Sequence, residues 1–518
     1  MDILGKEKYK LFAAVDVGSN AVRMMIAQIS EKGEVIPLED VKKIVALGKD
    51  TFSTGKISTE SLEELMIHLK GFVKLMKDYK IKNYRAVSTS AIREAENRDY
   101  IIDQIKRDTG LIVEIINSSQ ERFLTYKAIR DSLGDGALIR NTGGLIIDVG
   151  SGGAEIALYE KGHLRFTEYL KVGAVRIKES LASLENETVD FYETIEDFIK
   201  SRMGTLENLI SVYDIPNFIG LGGELNNIVK LCNKTKSEEA SKKISKESFE
   251  KFYEQIKSMK LEEIQTYMKI SKKQAEVIIP SMVVFLKFLK LTKASYIYCP
   301  RISLRHGILA DMADDIFETS RKKDFEQDII SSVKFIGEKY RIDKKHSKQV
   351  REIALKIFDN TKKVHGLGAR DRIFLEISSW LHEIGKYVSL SDHERHSNEI
   401  IKSLDVIGLS DLEREIIGII SGYHEDLFPD KHDINYQKFS FEDRVKISKL
   451  ASILKMAHSL DISSRQKLSL LEINKRGTEL ILTGVIKEQF TLEEWSFEKQ
   501  SDFFESVMGI RPILILKG

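Results

Sequence analysis

The chain has 518 residues, of which 42% are hydrophobic and 31% charged, and its 80 Lys and Arg residues balance 79 Asp and Glu residues. This length and composition exclude a disordered tail or a disulfide-stapled miniprotein, and the balanced charge predicts neither a nucleic acid nor a membrane as partner. Two cysteines, Cys232 and Cys299, are too few for a disulfide framework, and no stretch is long and apolar enough to span a bilayer. We therefore expect a cytoplasmic protein, since the amino terminus also lacks the apolar core of a signal peptide.

Residues 11 to about 310 alternate short β-branched runs with helical periods, which is typical of an α/β fold. The strands predicted here are Phe12–Val17, Arg23–Ile29, Leu111–Ile116, Leu145–Val149 and Phe218–Leu221, and the helices include Ser61–Tyr79 and Val189–Val212.

Helical periods alone fill residues 320 to 465, and the tail then returns to mixed structure. The predicted helices of this part are Asp324–Tyr340, His346–Phe358, Asp371–Ile384 and Phe441–Leu460. The tail predicts a hairpin over Leu468–Leu482, a helix over Leu492–Val507 and a strand over Pro512–Leu516. Together these changes predict four domains: an α/β lobe over 1–134, a second over 135–315, an all-α domain over 316–465 and a small α+β domain over 466–518.

An internal repeat relates the two α/β lobes. Val15-Asp16-Val17-Gly18-Ser19 is echoed 132 residues later by Ile147-Asp148-Val149-Gly150-Ser151, and each copy lies between two apolar strands. Asp-x-Gly is also a common hairpin turn, but two copies at the spacing of a domain favour duplication. We therefore expect two lobes whose Asp-Gly turns face each other across a cleft.

Glycine turns of this kind suit phosphate, because successive backbone N–H groups form an anion nest and a flanking carboxylate holds a divalent cation. The first turn offers Gly18, Ser19 and Asn20, and the second offers Gly150, Ser151, Gly152 and Gly153, followed by Glu155. A third turn, Gly220–Gly223, precedes a predicted helix whose N-terminus would face an anion, although a plain turn explains it equally well. No G-x-x-x-x-G-K-[ST] motif occurs, which argues against a P-loop NTPase.

Two further segments each leave two interpretations open. In Ser88–Arg93, hydroxyls and an arginine at a strand end suit phosphate binding, but Ser88 or Thr89 also suits a helix N-cap, with Arg93 solvated. Ser118 and Glu121 have the spacing of a capping box, whereas Glu121 also suits a carboxylate at the cleft mouth that orients or deprotonates water.

Eight of the eleven histidines lie beyond His306. His346, His382-Glu383 and Asp461 fall on successive helical stretches in the order H…HD…D of a metal-dependent phosphohydrolase bundle, but with Glu at the central pair. A longer acid perturbs a geometry that metal binding specifies tightly, so we expect no working metal centre in this domain. Buried, hydrogen-bonded helix residues would equally explain the histidines His393, His396 and His424.

In combination, these motifs resemble the exopolyphosphatase/guanosine pentaphosphate phosphohydrolase family of the actin-like phosphotransferase superfamily. The resemblance covers nearly all of the first 310 residues, through Ala14–Asn20 with Arg23, Ser88–Arg93 with Asn97-Arg98, Gln120-Glu121, Asp148–Gly150, Val172–Arg176, Gly220–Gly223 and Leu304–Leu309. Beyond these, Tyr340–Asp343, Leu381–Gly385 and His396-Ser397 resemble the helical HD-related domain of the family's long members, which commonly carry His-Glu at the central pair and end in a small fourth domain.

The resemblance implies two actin-like, ribonuclease H-like lobes and hydrolysis of the terminal phosphoanhydride of inorganic polyphosphate, dependent on Mg²⁺ or Mn²⁺, by a homodimer. It implies that Glu121 positions the attacking water and that Asp148, Glu155 and Asp16 hold the metal. The phosphate-binding residues that it implies are Gly18, Ser19, Asn20, Arg23, Ser90, Arg93, Gly150, Ser151, Gly152, Gly153, Gly222 and Gly223.

Guanosine pentaphosphate, trimmed to the tetraphosphate, is the alternative substrate, since it ends in the same phosphate arrangement. The second glycine turn departs from the family's Asp-x-Gly-Gly-Gly-Ser-x-Glu, because its hydroxyl stands two positions earlier, at Ser151, and Glu224 replaces the usual Thr after the third turn. These departures leave open a catalytically weak sensor that binds polyphosphate or an alarmone. An actin-like kinase or ATPase is the other class, against which the Ser90…Arg93 and Glu121 segments argue.

Overall fold

The computed structural model describes residues 9–132, 142–161, 163–184, 191–204, 206–222, 225–233, 242–300, 302–319, 321–430 and 432–517. The chain divides into two compact units, Met1–Asp328 and Ile329–Gly518. Among the described residues, no helix combines the length and the apolar character that crossing a membrane requires.

Lobe I of the first unit is built on five strands: β1 (Tyr9–Val17), β2 (Ala21–Ser30), β3 (Val35–Ile44), β4 (Asn83–Ser88) and β5 (Val113–Ile115). Their order in the sheet is β3-β2-β1-β4-β5, with β1 to β3 antiparallel and β4 and β5 parallel to β1. The helices of this lobe are α1 (Leu47–Thr54), α2 (Thr59–Asp78), α3 (Ser90–Glu94), α4 (Arg98–Thr109) and α5 (Ser118–Ser132).

Lobe II has six strands: β6 (Gly144–Val149), β7 (Ala154–Glu160), β8 (His163–Leu170), β9 (Phe218–Gly222), β10 (Lys243–Ser245) and β11 (Tyr296–Tyr298). Their order, β10-β11-β9-β6-β7-β8, repeats that of lobe I with one added edge strand, because β6 to β8 are antiparallel and β9 and β11 continue in parallel. This repeated arrangement confirms the predicted fold class, with two actin-like α/β lobes.

The helices that follow β8 in the first unit are α6 (Ala174–Leu181), α7 (Phe191–Met203), α8 (Leu206–Ser211), α9 (Leu225–Asn233), α10 (Lys246–Lys257), α11 (Leu261–Met268), α12 (Lys272–Leu289) and α13 (Leu304–Phe317). The prediction of one helix over Val189–Val212 is wrong: α7 ends at Met203, and Gly204 has a φ of 50°, which breaks the helix before α8.

The central strands of lobe I are buried on both faces, so their apolar runs are nearly continuous. On one face, the alternate residues Phe12 and Ala14 share a core cluster with Ile308 and Leu309 of α13. The sequence-based division places α13 in lobe II, but the helix packs on lobe I. Gly307 permits this packing, because a Cβ there would lie 1.8 Å from the Leu124 carbonyl oxygen of α5.

The boundary between the two units falls within α14 (Arg321–Lys339). The second unit continues with α15 (Lys344–Asn360), α16 (Lys362–His365), α17 (Ala369–Leu381), a 3-10 turn (Ile384–Tyr387), α18 (His393–Ser403), α19 (Asp411–Gly422), α20 (Ile434–Gln437) and α21 (Phe441–Ser459).

The tail forms a three-stranded sheet with one helix, built from β12 (Leu468–Arg476), β13 (Glu479–Ile486), α22 (Thr491–Met508) and β14 (Arg511–Lys517). Strands β12 and β13 pair as an antiparallel hairpin, and β14 pairs in parallel with β13. The predicted hairpin, helix and last strand are thus confirmed.

Candidate active site

A cleft of about 420 Å³ in the first unit is lined by residues of both lobes and contains the ends of β1 and β6. Every described member of the predicted site lines it, namely Asp16, Gly18, Ser19, Asn20, Arg23, Ser90, Arg93, Glu121, Asp148, Gly150, Ser151, Gly152, Gly153, Glu155 and Gly222. The remaining predicted member, Gly223, lies outside the described residues, as does Glu224. The fold therefore brings these residues together, while their individual roles stay predictions.

The glycine turns allow the two lobes to approach closely at the cleft. A Cβ on Gly152 of lobe II would lie 2.5 Å from the Oγ of Ser90 in lobe I. The Ser90 hydroxyl is also hydrogen-bonded to the Ser19 hydroxyl of the first turn, at 2.8 Å. The hydroxyls of Ser19 and Ser90 and the two glycine turns therefore lie around the same part of the cleft.

The segment after β4 turns inward to the cleft. Thr89 occupies the N-cap position of α3, but its side chain makes no capping hydrogen bond. The Arg93 side chain is only 15% exposed and donates to the Ile116 carbonyl oxygen at 2.9 Å. The alternative of a capping side chain with a solvated arginine therefore does not fit this structure.

The N-terminus of α5 shows which residues cap this helix. The Asn117 side chain accepts a hydrogen bond from the Gln120 backbone N–H at 2.9 Å, and Gln120 Oε1 accepts one from the Asn117 backbone N–H at 3.1 Å. The capping pair is therefore Asn117 and Gln120, and the alternative of a Ser118–Glu121 box is wrong. The Glu121 carboxylate faces the cleft, where its Oε2 lies 3.4 Å from Nη1 of Arg93.

Burial raises the pKa of Glu121 above its ordinary value. The Arg93 guanidinium opposes this rise, and the negative charge of Asp16 adds to it. The result is a carboxylate that holds a proton more tightly than an exposed glutamate does.

Strand register places three lobe I side chains in a row across β1, β2 and β3: Asp16 pairs with Arg23, and Arg23 pairs with Lys42. Arg23 Nη1 donates to Asp16 Oδ2 at 3.0 Å, so this carboxylate has a cation beside it. Lys42 also lines the cleft, and the sequence analysis missed it. Only the strand register shows that this lysine of a largely exposed edge strand reaches the site.

The equivalent row in lobe II runs from Asp148 to Glu155 to Tyr169 across β6, β7 and β8. Glu155 Oε2 accepts a hydrogen bond from the buried Arg122 guanidinium of α5 at 2.6 Å. Asp148 makes no hydrogen bond through its side chain to any described residue. Burial, together with the nearby carboxylates of Glu121 and Asp16 and against the opposing charge of Arg23, raises the pKa of Asp148 to about 7.

A further arginine missing from the predicted site holds the second glycine turn. Arg176 of α6 donates to the Gly152 carbonyl oxygen at 2.5 Å and to Glu94 Oε2 at 2.6 Å. Its guanidinium also lies 4.3 Å from the centroid of the Phe52 ring. This residue ends the Val172–Arg176 motif noted in the sequence, but only the structure shows that it links the turn to lobe I.

Comparison with known proteins identifies the family of the chain. The model of the Ppx/GppA phosphatase family matches residues 25–316, and that of Ppx/GppA phosphatase domain III matches residues 330–500. The chain belongs to the Ppx/GppA phosphatase family. It is therefore a hydrolase that acts on phosphoanhydride bonds.

Individual relatives agree with this assignment. A protein of Vibrio parahaemolyticus named guanosine-5'-triphosphate,3'-diphosphate pyrophosphatase is 22% identical over 433 residues, which are 82% of this chain and 83% of the relative. A solved Ppx/GppA family member from Aquifex aeolicus is 26% identical with a TM-score of 0.50, over 60% of this chain and 99% of that one. An exopolyphosphatase from Cytophaga hutchinsonii, 20% identical, has a TM-score of 0.53 over 59% and 98% of the two chains, which supports the fold alone.

Proposed function

We propose that this chain is an exopolyphosphatase, which hydrolyses the terminal phosphoanhydride of inorganic polyphosphate and releases orthophosphate. The observation that carries the proposal is the convergence, in one cleft, of two glycine turns with the Glu121–Arg93 pair. The turns and the arginine suit the oxygens of a terminal phosphate, and the carboxylate suits a water molecule beside it.

In the proposed reaction, water attacks the terminal phosphorus, the bond to the bridging oxygen breaks, and the shortened chain leaves with that oxygen. Glu121 orients the water and accepts its proton, while Arg93 balances charge on the transferred group. Such transition states are loose, so catalysis depends on positioning and on stabilising charge rather than on covalent chemistry with the protein.

The cleft also suits the proposed Mg²⁺ or Mn²⁺. Asp148 offers a carboxylate whose pKa is raised by burial and by the negative charges of Glu121 and Asp16, and hard divalent cations prefer such oxygens. Asp16 and Glu155 already have the guanidinium partners Arg23 and Arg122. We therefore assign Asp148 as the principal ligand, with Glu155 and Asp16 beside it. A bound ion would neutralise charge on the phosphate oxygens.

The described lining of the cleft favours polyphosphate over a nucleotide. Its single aromatic residue is Tyr169, and the ring packs on Gly153, where a Cβ would lie 2.2 Å from the ring. A guanine base gains affinity by stacking on aromatic faces, and the described lining offers only this one ring, which already packs on Gly153. Guanosine pentaphosphate remains the second candidate, because the Vibrio parahaemolyticus relative matched over 82% of this chain is named for that substrate.

A side-by-side assay distinguishes the two substrates. Phosphate release from long-chain polyphosphate and from guanosine pentaphosphate is measured with the same enzyme and excess Mg²⁺, with ATP as the control for a kinase-like nucleotide pocket. We expect the highest kcat/KM with polyphosphate. A higher value with guanosine pentaphosphate would reverse the substrate assignment, and release from neither would support a sensor.

A further inference from the structure

Five histidines and one glutamate of the second unit converge in its interior. They form two groups that share Glu383, and within each group one ligand atom of every member lies within 4.8 Å of all the others. The first group contains His346, His382, Glu383 and His458, and the second contains Glu383, His393 and His424. All of these side chains are buried except that of His393, which is 12% exposed.

His346 and His382 form a first pair of rings, in which hydrogen bonds show which nitrogen of each ring carries the proton. The Nδ1 atom of His346 lies 2.9 Å from the Asp461 carboxylate, which also accepts a backbone hydrogen bond. The Nδ1 atom of His382 lies 3.0 Å from the Ser379 carbonyl oxygen, which can only accept. Both Nδ1 atoms therefore donate, and the two Nε2 atoms, 3.1 Å apart, turn lone pairs toward each other.

The second pair repeats this arrangement. Nδ1 of His424 lies 2.7 Å from the Ser421 carbonyl oxygen, and Nδ1 of His393 lies 3.2 Å from that of Leu390. Both rings donate through Nδ1, and their Nε2 atoms also lie 3.1 Å apart. The cluster thus contains two histidine pairs, and within each pair the Nε2 lone pairs face each other.

An ordinary buried histidine in the same unit behaves differently. His365 donates through Nε2 to the Phe358 carbonyl oxygen at 3.0 Å and accepts at Nδ1 from the Leu367 backbone N–H at 2.9 Å. Both of its nitrogens have complementary partners. Facing lone pairs instead repel each other, and a cation between them removes the repulsion.

A bound metal ion explains the 3.1 Å between the facing Nε2 atoms better than a shared proton does. Bonds of 2.0–2.1 Å from Zn²⁺ to imidazole nitrogen place two nitrogens of one ion about 3.0–3.4 Å apart, which includes the observed 3.1 Å. A shared proton in each pair would instead bury two added charges, which is costly in a largely desolvated site. Second partners on Nδ1, such as Asp461, are also what orients metal-binding imidazoles.

We propose that this cluster is a binuclear centre for divalent transition-metal ions, bridged by Glu383. The Glu383 Oε1 atom lies 3.6 Å from Nε2 of both His346 and His458, and Glu425 Oε2 lies 3.5 Å from Nε2 of His393. Each ion then has three or four nitrogen and oxygen ligands. An imidazole-rich set selects ions such as Zn²⁺, Fe²⁺ or Co²⁺ over Mg²⁺.

This proposal replaces the expectation that Glu383 prevents a metal centre. The pattern H…HD…D omits His393, His424 and His458. These histidines supply additional ligands, which compensate for Glu383 in the place of the pattern's Asp. Lys386 donates a hydrogen bond to the Glu383 carboxylate, so an ion competes with it, but this lysine is 39% exposed and can turn to solvent.

Metal analysis of the full chain tests the proposal. Protein treated with a chelator is titrated with Co²⁺ in excess Mg²⁺, followed by the visible absorption of Co²⁺ and by elemental analysis after dialysis. We expect about two Co²⁺ ions per chain, as the bridged ligand set requires. His382→Gln and Glu383→Gln should lose most of the bound Co²⁺ and of the absorption band.

Two matched controls separate this site from others. His396→Gln changes a histidine on the same helix as His393 that belongs to neither group, and Asp148→Asn changes the cleft; both should retain the bound Co²⁺. Failure of the wild-type chain to bind Co²⁺ would overturn the proposal, as would unchanged binding in a folded His382→Gln variant. If that variant does not fold, the wild-type chain still decides, since its Tm should rise with Zn²⁺ and fall with the chelator.

Discussion

Lobe I and lobe II carry the same three-strand unit at the cleft, but the side chains in register differ. Across β1 to β3, Asp16 lies beside Arg23, which lies beside Lys42. Across β6 and β7, Asp148 lies instead beside another carboxylate, Glu155. Duplication of the backbone thus places an aspartate at the end of both first strands, and the residue on the second strand decides whether that aspartate has a cation next to it.

This difference separates two aspartates that the repeat alone makes equivalent. Asp16 forms an ion pair with Arg23 at 3.0 Å, whereas burial and neighbouring carboxylates raise the pKa of Asp148 to about 7. Lobe I therefore presents positive charge for phosphate oxygens. Lobe II presents Asp148, which has a carboxylate instead of a cation beside it on the neighbouring strand.

The largest expected effect concerns Glu121, the carboxylate that lies near both aspartates. Glu121→Gln keeps the shape of the side chain but removes the proposed base, and should lower kcat for phosphate release by about 10²–10⁴-fold. Gln120→Ala is the matched control, because it removes the hydrogen bond from Gln120 Oε1 to the Asn117 backbone N–H, should cost about 1 kcal/mol of stability and leaves Glu121 in place. Near-wild-type turnover in Glu121→Gln would remove this residue from the mechanism.

The second prediction concerns Arg122 of α5, the cation that pairs with Glu155 of lobe II. Arg122→Met leaves Glu155 buried without its guanidinium partner, so the free energy of unfolding should fall by about 3–5 kcal/mol. Urea denaturation measures this loss. Adding Glu155→Gln to the variant should recover part of the stability, and no recovery would mean that the arginine acts through other contacts.

The third prediction is a pH dependence specific to lobe II. With its pKa at about 7, Asp148 is increasingly protonated as the pH falls below 7, and metal ligands must be deprotonated. The apparent affinity for Mg²⁺ should therefore fall about tenfold per pH unit below 7 and level off above it. Mg²⁺ titrations of phosphate release between pH 5.5 and about 8.5 check this, and an affinity that stays constant across the range would contradict it.

The smallest expected effect concerns Lys42 on the edge strand of lobe I. Lys42→Met removes a partly screened positive charge from the cleft, so KM for polyphosphate should rise about two- to fivefold with kcat nearly unchanged. The increase should shrink at high ionic strength. A change confined to kcat would place Lys42 in the chemical step instead of in substrate binding.

Short-range sequence patterns predicted the strands, helices and turns, because these depend mainly on residues close together in the chain. Apolar runs located the central strands and the helical unit, and the repeated Asp-Gly turns predicted the facing lobes. The capping pair at α5 could not be chosen in advance, because Asn117–Gln120 and Ser118–Glu121 differ by one residue and both satisfy the spacing.

Long-range pairing accounts for what the sequence did not reveal. Lys42 enters the site through strand register, and α13 packs on lobe I through a contact between Gly307 and Leu124. His458 joins His346 only in the folded bundle, at a ring separation of 5.3 Å. These contacts join residues far apart in the chain, for which no spacing rule exists.

One measurement tests the difference between the two lobes most directly. Asp148→Asn and Asp16→Asn are compared with the wild-type chain in Mg²⁺ titrations of phosphate release from polyphosphate at pH 8. We expect Asp148→Asn to raise the half-saturating Mg²⁺ concentration about tenfold or more, because it removes the proposed principal oxygen ligand, and Asp16→Asn to change it little. Equal shifts in both variants, or a larger shift in Asp16→Asn, would contradict the assignment of the metal to lobe II.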